Sequence, residues 1–421
     1  MKLNLTTALA GVTLALAAGS ATAQEIRFMC SGDGVECEVA MRIFERYEAA
    51  NPGVDVILDK VPYQGLLDTL PIQLAGDTGP DLAFVTDLGG LNPYYLDLAP
   101  YVDRKYWEDS YGGTLDWYRV GDDDDGIYGL HTGLTITGAY INRTLFDQAG
   151  VAVPSPDADW DTWAAVSREV AEKTGTPFPM AMDRSGHRIA GPAIAYGAKI
   201  FDEDGEPILV DEGFKGFVEK FVEWNNDGTM AKDVWGGKGG TAYQDGSKEF
   251  INGDLVYYFA GSWQVANFEQ QIGDLFDWEV VGSPCGAGGC TGMPGGAGIV
   301  GFEQTDHPEI VAELIDLLAS EESYAEYSAS ARTIPTHAAV AAKGVNYEGA
   351  TPLAAAALNG WAAQVSKLEP IAFAYQGNPN NRAMFNITVQ RVTQAVVGEL
   401  SVDEAMDRMS EDLAAALAES N

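Results

Sequence analysis

The apolar positions of this chain set out short strands alternating with amphipathic helices. Residues 25–30 read as a strand, and Ser31-Gly32-Asp33-Gly34 reads as a turn. Val39, Ile43, Phe44 and Tyr47 then recur at helical spacing, which predicts a helix over residues 35–50. Asn51-Pro52-Gly53 stops it, because proline and glycine do not continue a helix. Residues 54–58 alternate as a second strand. A strand–helix–strand opening of this kind predicts a parallel sheet with helices on its faces.

The pattern continues. A helix is expected over residues 66–75, interrupted near Pro71, and a buried strand over 81–85. Two strands, 127–130 and 135–142, flank Thr132-Gly133. Helices are expected over 160–173, with Asp159 or Asp161 as its cap, and over 214–225. Strands follow at 255–259 and 278–281, then a glycine-rich loop over 285–298. Later helices are read at 307–319, 323–330, 352–363, 384–397 and 402–418. The run Asp122–Asp125 reads as a solvated loop, since four adjacent aspartates lack the alternating spacing of a calcium loop. The fold class expected is α/β. The length, 421 residues, exceeds what one core usually supports, so two lobes are expected.

The first residues fit a different purpose. Lys2, an uncharged apolar stretch to Ala18, and Ala21-Thr22-Ala23 have the three parts of a cleaved secretory signal. The mature chain would then start at Gln24, in the periplasm. No cysteine stands at the cleavage point, so no lipid anchor is expected. In an oxidising compartment the local pairs Cys30/Cys37 and Cys285/Cys290 read as disulfides; neither spacing is that of a zinc finger. The formal charge of −37 repels nucleic acid and anionic membranes. A monomer without cofactor or metal is expected.

Several segments resemble one family. Phe44-Glu45-Arg46-Tyr47 with Asn51-Pro52-Gly53-Val54, Ala75-Gly76-Asp77-Thr78-Gly79-Pro80-Asp81, Gly126-Ile127-Tyr128-Gly129, Tyr140-Ile141-Asn142-Arg143-Thr144-Leu145-Phe146, Trp160-Asp161-Thr162-Trp163 and Phe250-Ile251-Asn252-Gly253-Asp254 with Gly261-Ser262-Trp263 resemble motifs of the carbohydrate-type extracellular solute-binding proteins of ABC importers, the maltose-binding-protein-like family 1. They come in the family's order across nearly the whole chain. Departures are Arg143 for the usual lysine, His131 for a proline and Tyr258 for a methionine. They put a close match to a maltose- or trehalose-type binder in doubt. The resemblance implies two lobes joined by crossing segments. Residues 24–132 and 298–345 would form one, and 133–297 and 346–421 the other. It further implies a sugar between the lobes, and permease and ATPase subunits as partners; two of the basic candidates Arg184, Lys199 and Arg332 facing inward would extend the ligand class to acidic or sulfonated sugars.

A sugar needs hydrogen-bonding groups for its hydroxyls and a flat apolar partner for its ring face. Loops after strands should carry them, because ligands bind at the carboxyl ends of strands in such sheets. That selects Asp33, Gln64, Thr86 and Asp87. Thr132 falls at the first crossover and Gly296 at the second, where glycine can hinge or let backbone N–H groups approach. Trp263 matches the family's stacking tryptophan. Phe385 and Tyr375 are further aromatic candidates, and Asn381 a polar one. Arg184, His187 and Arg188 cluster in an expected loop over 183–189. Arg184, Lys199 and Arg332 are the basic candidates, with pairing to surface acids as the other reading. The glycine-rich stretch lacks the G-K-[ST] of a phosphate loop. The rival functions are a periplasmic glycoside hydrolase and a polyamine binder on the same fold. The 62 acids make paired carboxylates uninformative, and no nucleophile or metallohydrolase motif occurs.

Overall fold

The computed structural model describes residues 23–31, 35–121, 123–347 and 349–420. The expected signal segment before Ala23, and Asp33, lie outside the described residues. The chain opens as β1 (Gln24–Cys30), α1 (Glu36–Ala50) and β2 (Val54–Lys60). β1 and β2 pair in parallel from Gln24 opposite Val54 to Cys30 opposite Lys60, as the strand–helix–strand reading requires. α1 buries Cys37, Val39, Ala40, Ile43 and Phe44. Phe44 meets Phe28 of β1 edge to face, with ring centroids 5.5 Å apart. Burying each such side chain contributes roughly 1.5–3 kcal/mol.

α2 (Tyr63–Ala75) starts three residues earlier than its periodicity suggested and runs unbroken through Pro71. β3 (Leu82–Val85) lies parallel to β1. The remaining strands are β4 (Gly129–Asn142), β5 (Phe178–Met182), β6 (Leu255–Gly261), β7 (Trp278–Gly282) and β8 (Pro294–Gly301). Their order is β2-β1-β3-β8-β4-β6-β5, with β7 also on β4.

Two expectations fail at the crossing. The two strands placed around Thr132-Gly133 are one 14-residue strand, β4, with a register shift between His131 and Gly133. The glycine-rich loop ends early, since Gly295, Gly296 and Gly298 belong to β8. Neither segment shows the alternation of a half-exposed strand, because both are covered on both faces. β4 pairs with β8 from Gly129 to Ile136, and from Thr137 onward with β6. One strand therefore serves both halves of the fold.

One core gathers Ile26, Phe28, Phe44, Trp107, Leu314 and Tyr324. A second, centred on Tyr140, Trp160, Tyr257, Phe259 and Phe268, fills the other lobe and runs on into the first through residues such as Leu70, Val85 and Tyr118. The helix Trp160–Thr174 is capped by Asp159, whose carboxylate accepts the Thr162 N–H at 2.8 Å, and it ends at Gly175 in the left-handed region, φ 73°. The disulfides Cys30–Cys37 and Cys285–Cys290 are both formed. Among the described residues no helix is long and apolar enough to cross a membrane.

Candidate functional site

A cavity of about 350 Å³ opens between the lobes. Its first wall comes from the start of α2 and the residues just after β3. Tyr63 and Gln64 open α2 behind Pro62, which caps it without a side chain. Thr86 and Asp87 leave β3 at its carboxyl end, where the topology directs ligands. The Tyr63 and Thr86 hydroxyls lie 2.9 Å apart. Asp87 Oδ1 is buried without a hydrogen-bond partner, and burial raises its carboxyl above the usual range, partly offset by the charge of Arg382. A carboxylate oxygen so placed accepts a hydroxyl readily, since an unsatisfied buried acceptor is costly.

The opposite wall comes from the helix Gly186–Ala195, the residues after β6 and the helix Asn381–Val396. Trp263 follows β6 directly, and its ring folds back over residue 261. A β-carbon there would lie 1.9 Å from the ring, so Gly261 makes room for it. The Arg188 guanidinium sits 4.2 Å from the centre of the Trp263 ring. Arg188 Nε is 3.7 Å from Asp183 Oδ2. Asp183 is wholly buried and accepts from Tyr243 Oη, Tyr258 Oη and the Gly246 N–H. Burial pushes its carboxyl up to about 6 against the pull of the Arg188 charge. Phe385 completes this wall at 5% exposure.

The crossing strands form the floor. Thr132 Oγ1 donates to the Ala297 carbonyl at 2.9 Å, so its hydroxyl ties β4 to β8. Gly296 has φ 137°, and a β-carbon there would sit 2.2 Å from the Gly133 carbonyl oxygen. Only glycine fits. His131 Nε2 lies 3.4 Å from the Gly295 carbonyl and His187 Nε2 3.0 Å from that of Pro294. Burial pushes the two imidazoles down to about 4 and about 3 respectively, so both are neutral near pH 7.

Nine of the thirteen sequence candidates line this cavity: Gln64, Thr86, Asp87, Thr132, Arg184, Trp263, Gly296, Arg332 and Phe385. Several are committed elsewhere. Gln64 Oε1 accepts the Tyr243 N–H of the other lobe at 3.1 Å. Arg332 lines the cavity while its Nε pairs with Glu269 at 3.3 Å, in a largely buried ion pair. Arg184 is neither surface-paired nor free. It is fully buried, and its guanidinium donates to the carbonyls of Ala242 and Gly240.

Three candidates do not line the cavity. Lys199 is exposed in the irregular segment that follows the helix Gly186–Ala195 and does not line the cavity. Tyr375 is a core residue, packed against Phe385 and Phe201, because the apolar run before it is the buried face of the helix Pro370–Gly377. Asn381 begins the helix Asn381–Val396 rather than a loop, and its amide donates to the Gln376 carbonyl.

Sequence reasoning passed over Arg382, Tyr243 and Gln376. Arg382 donates to Thr86 Oγ1 at 3.3 Å from across the cavity. Its signal was a lone arginine opening a helix in a chain with 25 Lys and Arg. The sequence pattern suggests a loop around Arg188, but the residue sits on the first turn of a helix. That turn aims it at Trp263.

Two α/β lobes, crossing strands between them and a cavity where they meet define a two-lobed binding-protein fold. The chain belongs to the bacterial extracellular solute-binding protein family, whose model matches residues 42–356. A binding protein of Brucella abortus (strain 2308) is 21% identical over 340 residues, covering 78% of this chain and 80% of that one. The multiple sugar-binding protein of Streptococcus mutans is 24% identical over 250 residues, 55% of each. The fold matches the ABC substrate-binding protein of Listeria monocytogenes in complex with cycloalternan, with a TM-score of 0.77 at 16% identity, over 94% of this chain and 99% of that one. Maltose-bound MalE3 of T. maritima matches at 0.75 and 18%, over 92% and 98%. The family is one of binding proteins, and the chain is not an enzyme.

Proposed function

We propose that this chain is the solute-capturing component of an ABC importer. It takes up a mono- or oligosaccharide, acidic and sulfonated sugars included, in the periplasm after its signal segment is removed. It closes its lobes on the sugar as a monomer and delivers it to the membrane permease. The lobes are residues 24–132 with 298–345, and 133–297 with 346–421. One observation carries the reading: an aromatic face, Trp263, and an unpartnered buried carboxylate oxygen, Asp87 Oδ1, line the same interlobe cavity. Sugars need both kinds of group. The sugar ligands of the Streptococcus, Listeria and Thermotoga relatives point the same way.

Closure is a population shift. The ligand binds both lobes only when they are together, so it favours that state by its differential affinity. A thermal-shift screen of the mature protein tests the reading, because a tight ligand raises the midpoint by mass action. Neutral sugars, anionic sugars and polyamines are compared. A rise with any sugar class supports it. Rises with polyamines alone sink it.

A further inference from the structure

The two walls of the cavity differ in charge. The wall from the first lobe presents Glu36, Asp68 and Asp87, besides Arg332, whose charge is paired with Glu269, and the facing wall presents Arg184, Arg188 and Arg382. The chain as a whole has 62 acids and 25 Lys and Arg. Three arginines on one wall therefore invert the local balance.

Not all three are available. Arg184 spends its guanidinium on backbone carbonyls. Arg382 meets two hydroxyls, those of Thr86 at 3.3 Å and of Tyr63, and its Nε is shielded without a partner. It forms no ion pair among the described residues; Asp87 acts on its charge from a distance. Arg188 has one acid, Asp183 at 3.7 Å, which already accepts three shorter hydrogen bonds. Its own Nε has no hydrogen-bond partner. Both arginines line the same cavity with His187, whose Nδ1 lies 2.7 Å from Arg188 Nη1. A shielded guanidinium with open donors is costly until a planar or tetrahedral anion fills its fork.

Arg188 also covers Trp263. A neutral ring entering on that face must displace a guanidinium tethered to His187 Nδ1 at 2.7 Å. A sugar whose own anion meets Arg188 turns that obstacle into a contact.

We infer that the ligand is a sugar bearing a carboxylate or sulfonate, received by Arg188 and Arg382, while Asp87 accepts its hydroxyls from the opposite wall. This rests on the sugar reading above and narrows it. Polar discrimination of this kind exceeds what an apolar pocket achieves, because a neutral analogue leaves buried charges unpaired.

Calorimetric titration of the mature protein tests it. The probes are galacturonate and its oligomers, glucuronate and sulfoquinovose, each beside its neutral parent sugar. The expected result is an anionic probe binding at least about tenfold tighter than its parent. Uronates and sulfoquinovose separate the two anion sources. Arg382→Gln should cut that affinity about tenfold or more with the thermal midpoint of the free protein little changed; Arg188→Gln should cut it as much and also lower the midpoint, because buried Asp183 loses its charge partner; and Arg382→Lys should restore part of the loss. If a variant fails to fold, salt dependence decides: raising ionic strength weakens an anionic ligand and spares a neutral one. Neutral parents binding as tightly as the anions overturn the inference and leave the sugar reading intact. Unchanged anion affinity in the folded Arg382→Gln protein overturns it too. Failure of every sugar overturns both.

Discussion

The side-chain oxygen of Gln64, on one lobe, accepts the backbone N–H of Tyr243, on the other, at 3.1 Å. Tyr63 adds an edge-to-face contact with the Tyr243 ring, 6.0 Å between centroids. These lobes hold each other directly across the cleft. Gln64→Ala removes the hydrogen bond and should disfavour the closed state by about 0.5–1.5 kcal/mol. Small-angle scattering of the ligand-free protein checks this. The variant should have the larger radius of gyration, and an unchanged radius would mean that the bond does not hold the lobes.

Trp263→Ala should weaken sugar binding by about 1–3 kcal/mol while the fold survives. Titration of the variant, with its melting curve beside it, gives the answer. Full affinity in a folded variant would take Trp263 out of the site.

Gly296→Ala should strain the floor of the cavity itself and lower stability with no ligand bound. The backbone there is at φ 137°, and the new methyl meets the Gly133 carbonyl. Such strain costs on the order of 1–3 kcal/mol before the clash is counted. Urea unfolding should show the loss.

Asp183 gives stability a pH dependence with an unusual sign. Its folded carboxyl is raised from 3.8 to about 6, chiefly by burial. Between those values it holds more proton folded than unfolded, so rising pH through that window removes stability. The contribution is present in full below about 4 and lost above about 6. Asp183→Asn should flatten this part of the stability profile relative to the parent. An identical slope in both proteins would show that Asp183 ionises normally.

Reduction should loosen the first lobe. The Cys30–Cys37 bridge closes a short loop between β1 and α1. Loops of this size are worth roughly 2–3 kcal/mol. Replacing both cysteines by serine should lower the thermal midpoint accordingly.

Much of this was legible in the chain. The β1–α1–β2 opening was, because Val39, Ile43 and Phe44 bury one face at helical spacing. Asp87 and Trp263 were, because each directly follows a strand that ends at the cleft. What escaped has a common cause. β4 and β8 are buried on both faces and rich in glycine, so neither alternates, and their turn-like residues read as loops. The helix Asn381–Val396 starts behind the turn formers Gly377-Asn378-Pro379-Asn380, which mask it and make Asn381 read as loop, and Tyr375 reads as an open aromatic because its short helix ends where that run begins. Arg382 contacts Thr86 from 296 positions away, a distance no local pattern encodes.

The single strand β4 has a further consequence for how this chain can be cut. Its first half completes one sheet and its second half the other, while β8, some 150 residues later, is needed to seal the first. Neither lobe is therefore a contiguous stretch of chain. A fragment ending before β8 should leave the edges of β3 and β4 unpaired and prone to association. Circular permutation or reporter insertion will succeed in outer loops, and a split reporter made by dividing the chain between lobes will not reassemble as two independent folds.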